Sequence, residues 1–284
     1  MNAMPCWPAG TQSPLVFMDS GIGGLSILAA VRRQLPGLPV LMIADNEGFP
    51  YGTKPESVVL DRLLTLAEHL IAPLHPRGIV IACNTASTLA LPALREKYSF
   101  PVIGVVPALK PAAALSQKKH VGLLATPATV GRPYTQKLID DFCQGVQVNM
   151  LGSRELVLAS EAKARGVELP ENLIADAVRP FRQLEGGCPD VIVLGCTHFP
   201  FLRDEILREL PEGVNLIDSS DAVARQVSRL LGDFPGPLAE AAIHFTAEAP
   251  DLHRLSPFLR QLGLCRVSTP RQSWLIESAS PKNA

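Results

Sequence analysis

"VIVLGCTHFP", Val191–Pro200, ends a run of apolar and glycine residues on Cys196, with Thr197 and His198 directly behind it. "IVIACNTAST", Ile79–Thr88, does nearly the same with Cys83, Asn84 and Thr85. Short apolar runs bounded by turn residues read as buried strands. Leu15–Met18, Val40–Ile43, "GIVIAC", "PVIGVV", "VGLLAT", "VQVNM" and "VNLID" have the same character. Helical patterns lie between them. Thr53 and Glu56 stand at capping-box spacing ahead of Val59, Leu60, Leu63, Leu64, Ala67 and Leu70, and Ser219 or Ser220 is placed to cap Ala222–Leu231. Strand–helix alternation predicts an α/β fold with mainly parallel sheets flanked by helices.

The pattern also repeats. "VFMDSG" with its downstream "VIACNTAS" resembles "VGLLATPAT" with its downstream "VLGCTHFP". Cys83 and Cys196 are 113 positions apart, Asp19 and Thr126 are 107 apart. Two similar domains are therefore expected, 15–107 plus 214–268 and 108–213, with loose termini at 1–14 and 270–284. Ligands in open α/β folds sit beyond the carboxyl ends of strands, which puts Asp19, Cys83, Thr126 and Cys196 in an interdomain cleft.

Composition narrows the function. The 284 residues are 47% hydrophobic and 19% charged, with a net charge of −1. That suits a globular protein with a large core, and no basic block invites nucleic acid or an anionic membrane. The longest stretches without Asp, Glu, Lys or Arg are broken by prolines or polar residues, so no membrane span is expected. The N-terminus lacks a basic and an apolar signal region, which points to the cytoplasm. Six cysteines, at 6, 83, 143, 188, 196 and 265, form no C-x-x-C pair and no zinc spacing. No metal is expected.

A cysteine in an apolar run is by default a small buried hydrophobe, which suffices for Cys143, Cys188 and Cys265. Cys83 and Cys196 instead end strands where helices begin, and a helix N-terminus favours the thiolate. A phosphatase loop would need an arginine six positions on, where Leu89 and Leu202 stand, and the papain-type signature is absent. Two equivalent cysteines suit inversion of a carbon, one sulfur taking a proton from one face and the other delivering one to the opposite face, without metal or organic cofactor. "DSGIGG", Asp19–Gly24, fails the dinucleotide fingerprint at Ser26. Asp19 is then either a helix cap or a group that orients an ammonium or tunes a thiol, with the glycines admitting a small anion. Glu161, in "SRELVLASEAKARG", is by default a solvated helix charge, and His198 alone is a weak signal.

"DSGIGGLS", "DNEGFPYG", "IACNTAS", "LLATPAT" and "VLGCTHFP" together resemble the glutamate racemases of the aspartate/glutamate racemase group, from about Leu15 to Arg266. "VVPALKPA" and "ALREKYSFPV" look like enterobacterial and related forms. The resemblance implies an isomerase that racemises glutamate without a cofactor and supplies D-glutamate for peptidoglycan. It implies Cys83 as the acid and base on the D side and Cys196 on the L side, assisted by Asp19, His198 and Glu161. Asp19, Ser20, Tyr51, Gly52, Cys83, Asn84, Thr85, Thr126, Thr129, Thr197 and His198 would hold the substrate. A UDP-N-acetylmuramoyl-L-alanine activator would sit near Arg95, Gly104 and Lys110, on a monomer or homodimer. An aspartate or hydantoin racemase with the same cysteines, or a small-ligand binding protein with inert ones, are the alternatives.

Overall fold

The computed structural model describes residues 7, 12–249 and 251–275. Each apolar run becomes a strand: β1 (Leu15–Asp19), β2 (Val40–Ala44), β3 (Gly78–Ile81), β4 (Val102–Gly104), β5 (His120–Ala125), β6 (Gln147–Gly152), β7 (Val191–Leu194) and β8 (Asn215–Ile217). Three further strands are β9 (Ala241–Phe245), β10 (Arg266–Ser268) and β11 (Ser273–Leu275). They form a seven-stranded sheet, β11-β10-β9-β2-β1-β3-β4, and a four-stranded sheet, β6-β5-β7-β8. All pairings are parallel except that of β11 with β10.

The internal repeat is visible in this order. The run β2-β1-β3-β4 matches β6-β5-β7-β8 strand for strand. Asp19 ends β1 and Thr126 directly succeeds β5, while Cys83 and Cys196 each stand two residues past β3 and β7. The central strands β1, β2, β3 and β7 are almost wholly apolar and buried because both faces are covered, whereas the edge strand β6 carries Gln147 and Asn149. In the larger sheet, Leu15, Phe17, Val40 and Met42 face the helices Gly24–Gln34, Ser220–Leu231 and Leu252–Gln261. Val16, Met18, Leu41, Ile43, Ile79 and Ile81 face the helices Glu56–Leu66 and Asn84–Lys97. The smaller sheet divides in the same way, with Leu124, Ile192 and Leu194 against the helices Glu155–Ala164 and Leu173–Arg182.

Several expectations need correction. β8 pairs with β7, so the chain returns to the larger sheet after Ile217 rather than before Val214. The tail after Pro270 is not loose throughout, because Ser273–Leu275 hydrogen-bonds along β10. The remaining terminal residues of that expectation, 1–6, 8–11 and 276–284, lie outside the described residues. Thr53 and Glu56 form no capping box: Pro55 occupies the cap and the Thr53 hydroxyl donates to the Pro50 carbonyl, 3.1 Å. Ser219 precedes the helix Ser220–Leu231 but donates its hydroxyl to Val106 O. The Asp218 carboxylate accepts from the Ser220 N–H instead, 2.8 Å.

Candidate active site

Cys83 is the residue before the first turn of the helix Asn84–Lys97, with extended backbone angles. The Ser87 hydroxyl fixes this turn, donating to Ile81 O and accepting from Val105 N, both at 2.9 Å. Cys196 sits in the matching loop of the smaller half. A tight turn, Phe199–Leu202, separates it from the helix Arg203–Arg208, so it does not open a helix as expected. The two sulfur-bearing residues line one cavity of about 130 Å³ between the sheets, at the carboxyl ends of their strands. Cys83 and Cys196 are 8% and 7% exposed, so a reaction between them is shielded from bulk water.

Most of the expected site residues converge here. Ser20, Tyr51, Gly52, Asn84, Thr85, Thr126, Thr129 and His198 also line the cavity. The hydroxyls of Thr85, Thr126 and Thr129 form a triangle, with separations of 2.9–3.4 Å, that joins the two halves. Asn84 Oδ1 is buried and finds no partner among the described residues, which leaves an acceptor for a ligand donor. Tyr51 differs in detail. Its hydroxyl donates to Asp45 Oδ2 at 2.7 Å, and Asp45 is not part of the lining, so the hydroxyl is already engaged away from the cavity residues. Asp45 also accepts from Arg62 and from the Thr246 hydroxyl, 2.6 Å.

Asp19 and Thr197 lie just behind the wall. Asp19 is no helix cap: it accepts from the Ser20 N–H at 2.5 Å and the Thr197 hydroxyl at 3.0 Å. Burial, opposed by His198, Thr197 and Ser20, raises its pKa from the ordinary value. His198 Nδ1 is 3.9 Å from Cys196 Sγ, and its Nε2 is 3.0 Å from Glu161 Oε1. Burial works against a charge on His198. The hydrogen bonds to Cys196 and Glu161 and the nearby charges of Cys196 and Asp19 outweigh it and raise its pKa well above the ordinary value. Glu161 is therefore not a solvated helix charge. Despite its burial, His198, Arg165 and the Ile22 N–H hold its pKa down to about 2.

Cys83 corrects another expectation. The N–H groups of Thr85 and Ala86 do pull its thiol toward ionisation, but burial and the adjacent Asp19 charge push it well above the ordinary value. The glycine run has a different purpose from the one expected. A Cβ on Gly21 would lie 2.2 Å from Glu161 Oε1, and one on Gly23 2.3 Å from His198 Nδ1. The glycines thus admit protein side chains, one of them the Glu161 carboxylate, rather than a free anion.

Sequence reasoning missed Pro50, Thr53, Pro127, Arg154, Val157 and Gly195, which complete the lining. Arg154 and Val157 lie at the start of the helix Glu155–Ala164, a segment without a motif of its own. The residues proposed for an activator are apart from this cavity. Gly104 and Lys110 line a second one of about 300 Å³ with Ser219 and Gln226. Arg95 is not in that lining; its Nε donates to Val102 O, 3.1 Å. Among the described residues, no cluster of His, Cys, Asp or Glu is suited to a metal ion, and no helix is long and apolar enough to cross a membrane.

The Asp/Glu/Hydantoin racemase model matches residues 25–227, across both cysteines. This chain belongs to that family. It is 46% identical to the glutamate racemase of Salmonella gallinarum over 268 residues, 91% of this chain and 93% of the relative. The structure of Escherichia coli glutamate racemase in complex with L-glutamate and activator UDP-MurNAc-ala matches it with a TM-score of 0.85 at 42% identity, covering 91% of this chain and 98% of that one. Thermus thermophilus glutamate racemase in complex with beta-chloro-D-alanine matches with a TM-score of 0.70 at 32% identity, covering 87% and 93%. Family membership accounts for the repeated strand ends, since the racemases share this two-sheet α/β architecture.

Proposed function

We propose that the chain interconverts L- and D-glutamate by proton transfer between two cysteines, without a cofactor. The observation that carries this reading is the pair Cys83 and Cys196 lining one cavity from equivalent strand ends. In the L-to-D direction, the Cys196 sulfur takes the α-proton and the Cys83 thiol delivers its own to the opposite face. The proton balance is one bond broken and one formed at the carbon, and the roles swap in reverse. His198 exchanges a proton with Cys196 and is held by Glu161; Asp19 is the charge beside Cys83. Asn84 Oδ1 suits the substrate ammonium, and the Thr85, Thr126 and Thr129 hydroxyls suit a carboxylate. Ser20, Tyr51, Gly52 and Thr197 complete the substrate set.

The product would serve peptidoglycan synthesis in the cytoplasm. By analogy with the E. coli complex, the precursor UDP-N-acetylmuramoyl-L-alanine would act as activator at the second cavity, with Gly104 and Lys110 in contact and Arg95 at its edge. The division into domains of 15–107 with the segment after 217, and 108–217, accords with the sheet membership of the strands.

The test is incubation of L-glutamate in deuterium oxide with chiral detection. Deuterium at the α-carbon and formation of D-glutamate are expected. Cys83→Ser and Cys196→Ser each lower the rate by at least about 10³-fold, since each removes one of the two proton-transfer groups. Cys143→Ser leaves it within about twofold, because Cys143 is an ordinary buried side chain. Full activity in either of the first two variants rejects the mechanism. A panel containing aspartate and a hydantoin separates glutamate from the other substrates of the family.

A further inference from the structure

Behind His198 the hydrogen-bonded chain continues past Glu161. Arg165 directly succeeds the helix Glu155–Ala164. Its Nη1 donates both to the Glu161 carbonyl, 2.9 Å, and to Glu161 Oε2. Its Nε donates to Asp251 Oδ2, 2.6 Å. Asp251 begins the helix Leu252–Gln261, whose Leu252, Leu255 and Leu259 are buried against the larger sheet. The Arg165–Asp251 bond therefore links the smaller half to the larger one. The Arg165 and Glu161 side chains are only 20% and 13% exposed, so the Arg165–Glu161 pair is shielded far more than a surface pair, whereas Asp251 is 45% exposed and braces Arg165 from the rim.

Glu161 Oε1 already accepts from Ile22 N at 2.9 Å and meets His198 Nε2 at 3.0 Å. Its other oxygen, Oε2, is the one Arg165 takes. With both oxygens engaged, rotation of the carboxylate would break at least one of these bonds, and the arrangement keeps Oε1 on His198. The charged groups facing His198 are Asp19 from the end of β1, Cys196 from its own loop, and Glu161 backed by Arg165; the Phe49 ring, 5.9 Å away between centroids, is uncharged.

We propose that Arg165, braced by Asp251, is a positioning residue that fixes Glu161 against His198 and so couples the proton-handling arm of one half to the other half. This rests on the racemase reading for its kinetic consequence, but not for its structural one. Two effects of removing Arg165 oppose each other. Loss of a nearby positive charge alone would make His198 easier to protonate. Release of Glu161 removes the partner of the imidazolium and makes it harder to protonate.

The experiment tracks the His198 ring by NMR titration in the wild type, Arg165→Met, Arg165→Lys, Asp251→Asn and Glu161→Gln, with thermal melting of each. Positioning predicts that Arg165→Met moves the His198 midpoint down, toward that of Glu161→Gln, that Arg165→Lys recovers part of the shift, and that Asp251→Asn shifts it less in the same direction. An unchanged or raised midpoint in folded Arg165→Met overturns the proposal. If that variant does not fold, an unmoved midpoint in both Arg165→Lys and Asp251→Asn does so. Glutamate racemisation supplies a double-mutant cycle. Arg165→Met is expected to cut kcat on the order of tenfold with KM within about twofold, yet to have less than about a twofold effect in the Glu161→Gln background, because groups acting as a unit are not additive. Additive losses refute action through Glu161. If the wild type does not racemise glutamate, the function fails while the titration still decides the positioning claim.

Discussion

Gly23 is the position where a single added carbon has the best-defined consequence. An alanine Cβ there would lie 2.3 Å from His198 Nδ1, 2.6 Å from Cε1 and 2.8 Å from Asp19 Oδ2, about 1 Å short of the 3.4 Å at which ordinary contact begins. The neighbours have nowhere to retreat. His198 is 3% exposed and bonded to Glu161 at 3.0 Å, and Asp19 is 1% exposed and held by Thr197. The backbone at Gly23 is right-handed helical, so the effect is one of space and not of backbone strain. Overpacking of this kind costs about 1–3 kcal/mol, and for a chain of this size each kcal/mol lowers Tm by roughly 2–4 °C. Gly23→Ala is expected to lower Tm by about 2–12 °C. Displacing His198 by about 1 Å from Cys196 should lower kcat on the order of 10²-fold. The assay is polarimetric or circular-dichroism monitoring of L-glutamate racemisation, beside thermal melting. Gly131→Ala is the control, since its Cβ meets only Pro127 O at an ordinary 3.5 Å. Gly23→Ala with activity within threefold of wild type would refute the argument that His198 is confined by this loop.

The same geometry carries other outcomes. The Glu161 pKa is held at about 2 in the folded protein against an ordinary 4.5, so its interactions stabilise fully above pH 4.5 and are lost as pH falls toward 2. Urea midpoints should therefore drop more steeply over that window for wild type than for Glu161→Gln, by a difference on the order of 2–3 kcal/mol; parallel curves would contradict it. Asp45→Ala strips the buried partner from Arg62, Tyr51 and Thr246, and should cost about 3–5 kcal/mol in chemical denaturation. It should also raise KM by loosening Tyr51, and an unchanged KM would separate that network from the cavity. Lys110→Ala should reduce stimulation by UDP-N-acetylmuramoyl-L-alanine severalfold without changing unstimulated kcat, and equal stimulation would move the activator elsewhere.

Much of the architecture was legible because strand–helix alternation and doubly buried strands are local properties. Leu15–Met18, Gly78–Ile81 and Val191–Leu194 announce themselves by unbroken runs of apolar residues and glycine. β9 escaped because "AAIHF" contains two small alanines and a histidine, too little side chain to mark a central strand. β8 was read as a strand yet placed in the wrong half, since its three residues say nothing about which edge they join. At the site, the repeated cysteines were evident, and the family resemblance led to Asp19, His198 and Glu161.

By itself the sequence determined that two α/β halves would each place a cysteine just past the end of a strand, because hydrophobic period and turn residues act over neighbouring positions. Only the tertiary structure decided the proton affinities. Asp19 meets Thr197 across 178 positions and Glu161 meets Ile22 across 139, and these long-range contacts set the local charge and burial. The helix start at Cys83 favours the thiolate, yet burial and Asp19 overrule it, because desolvation and a like charge depend on the groups folded against the sulfur and not on its neighbours along the chain.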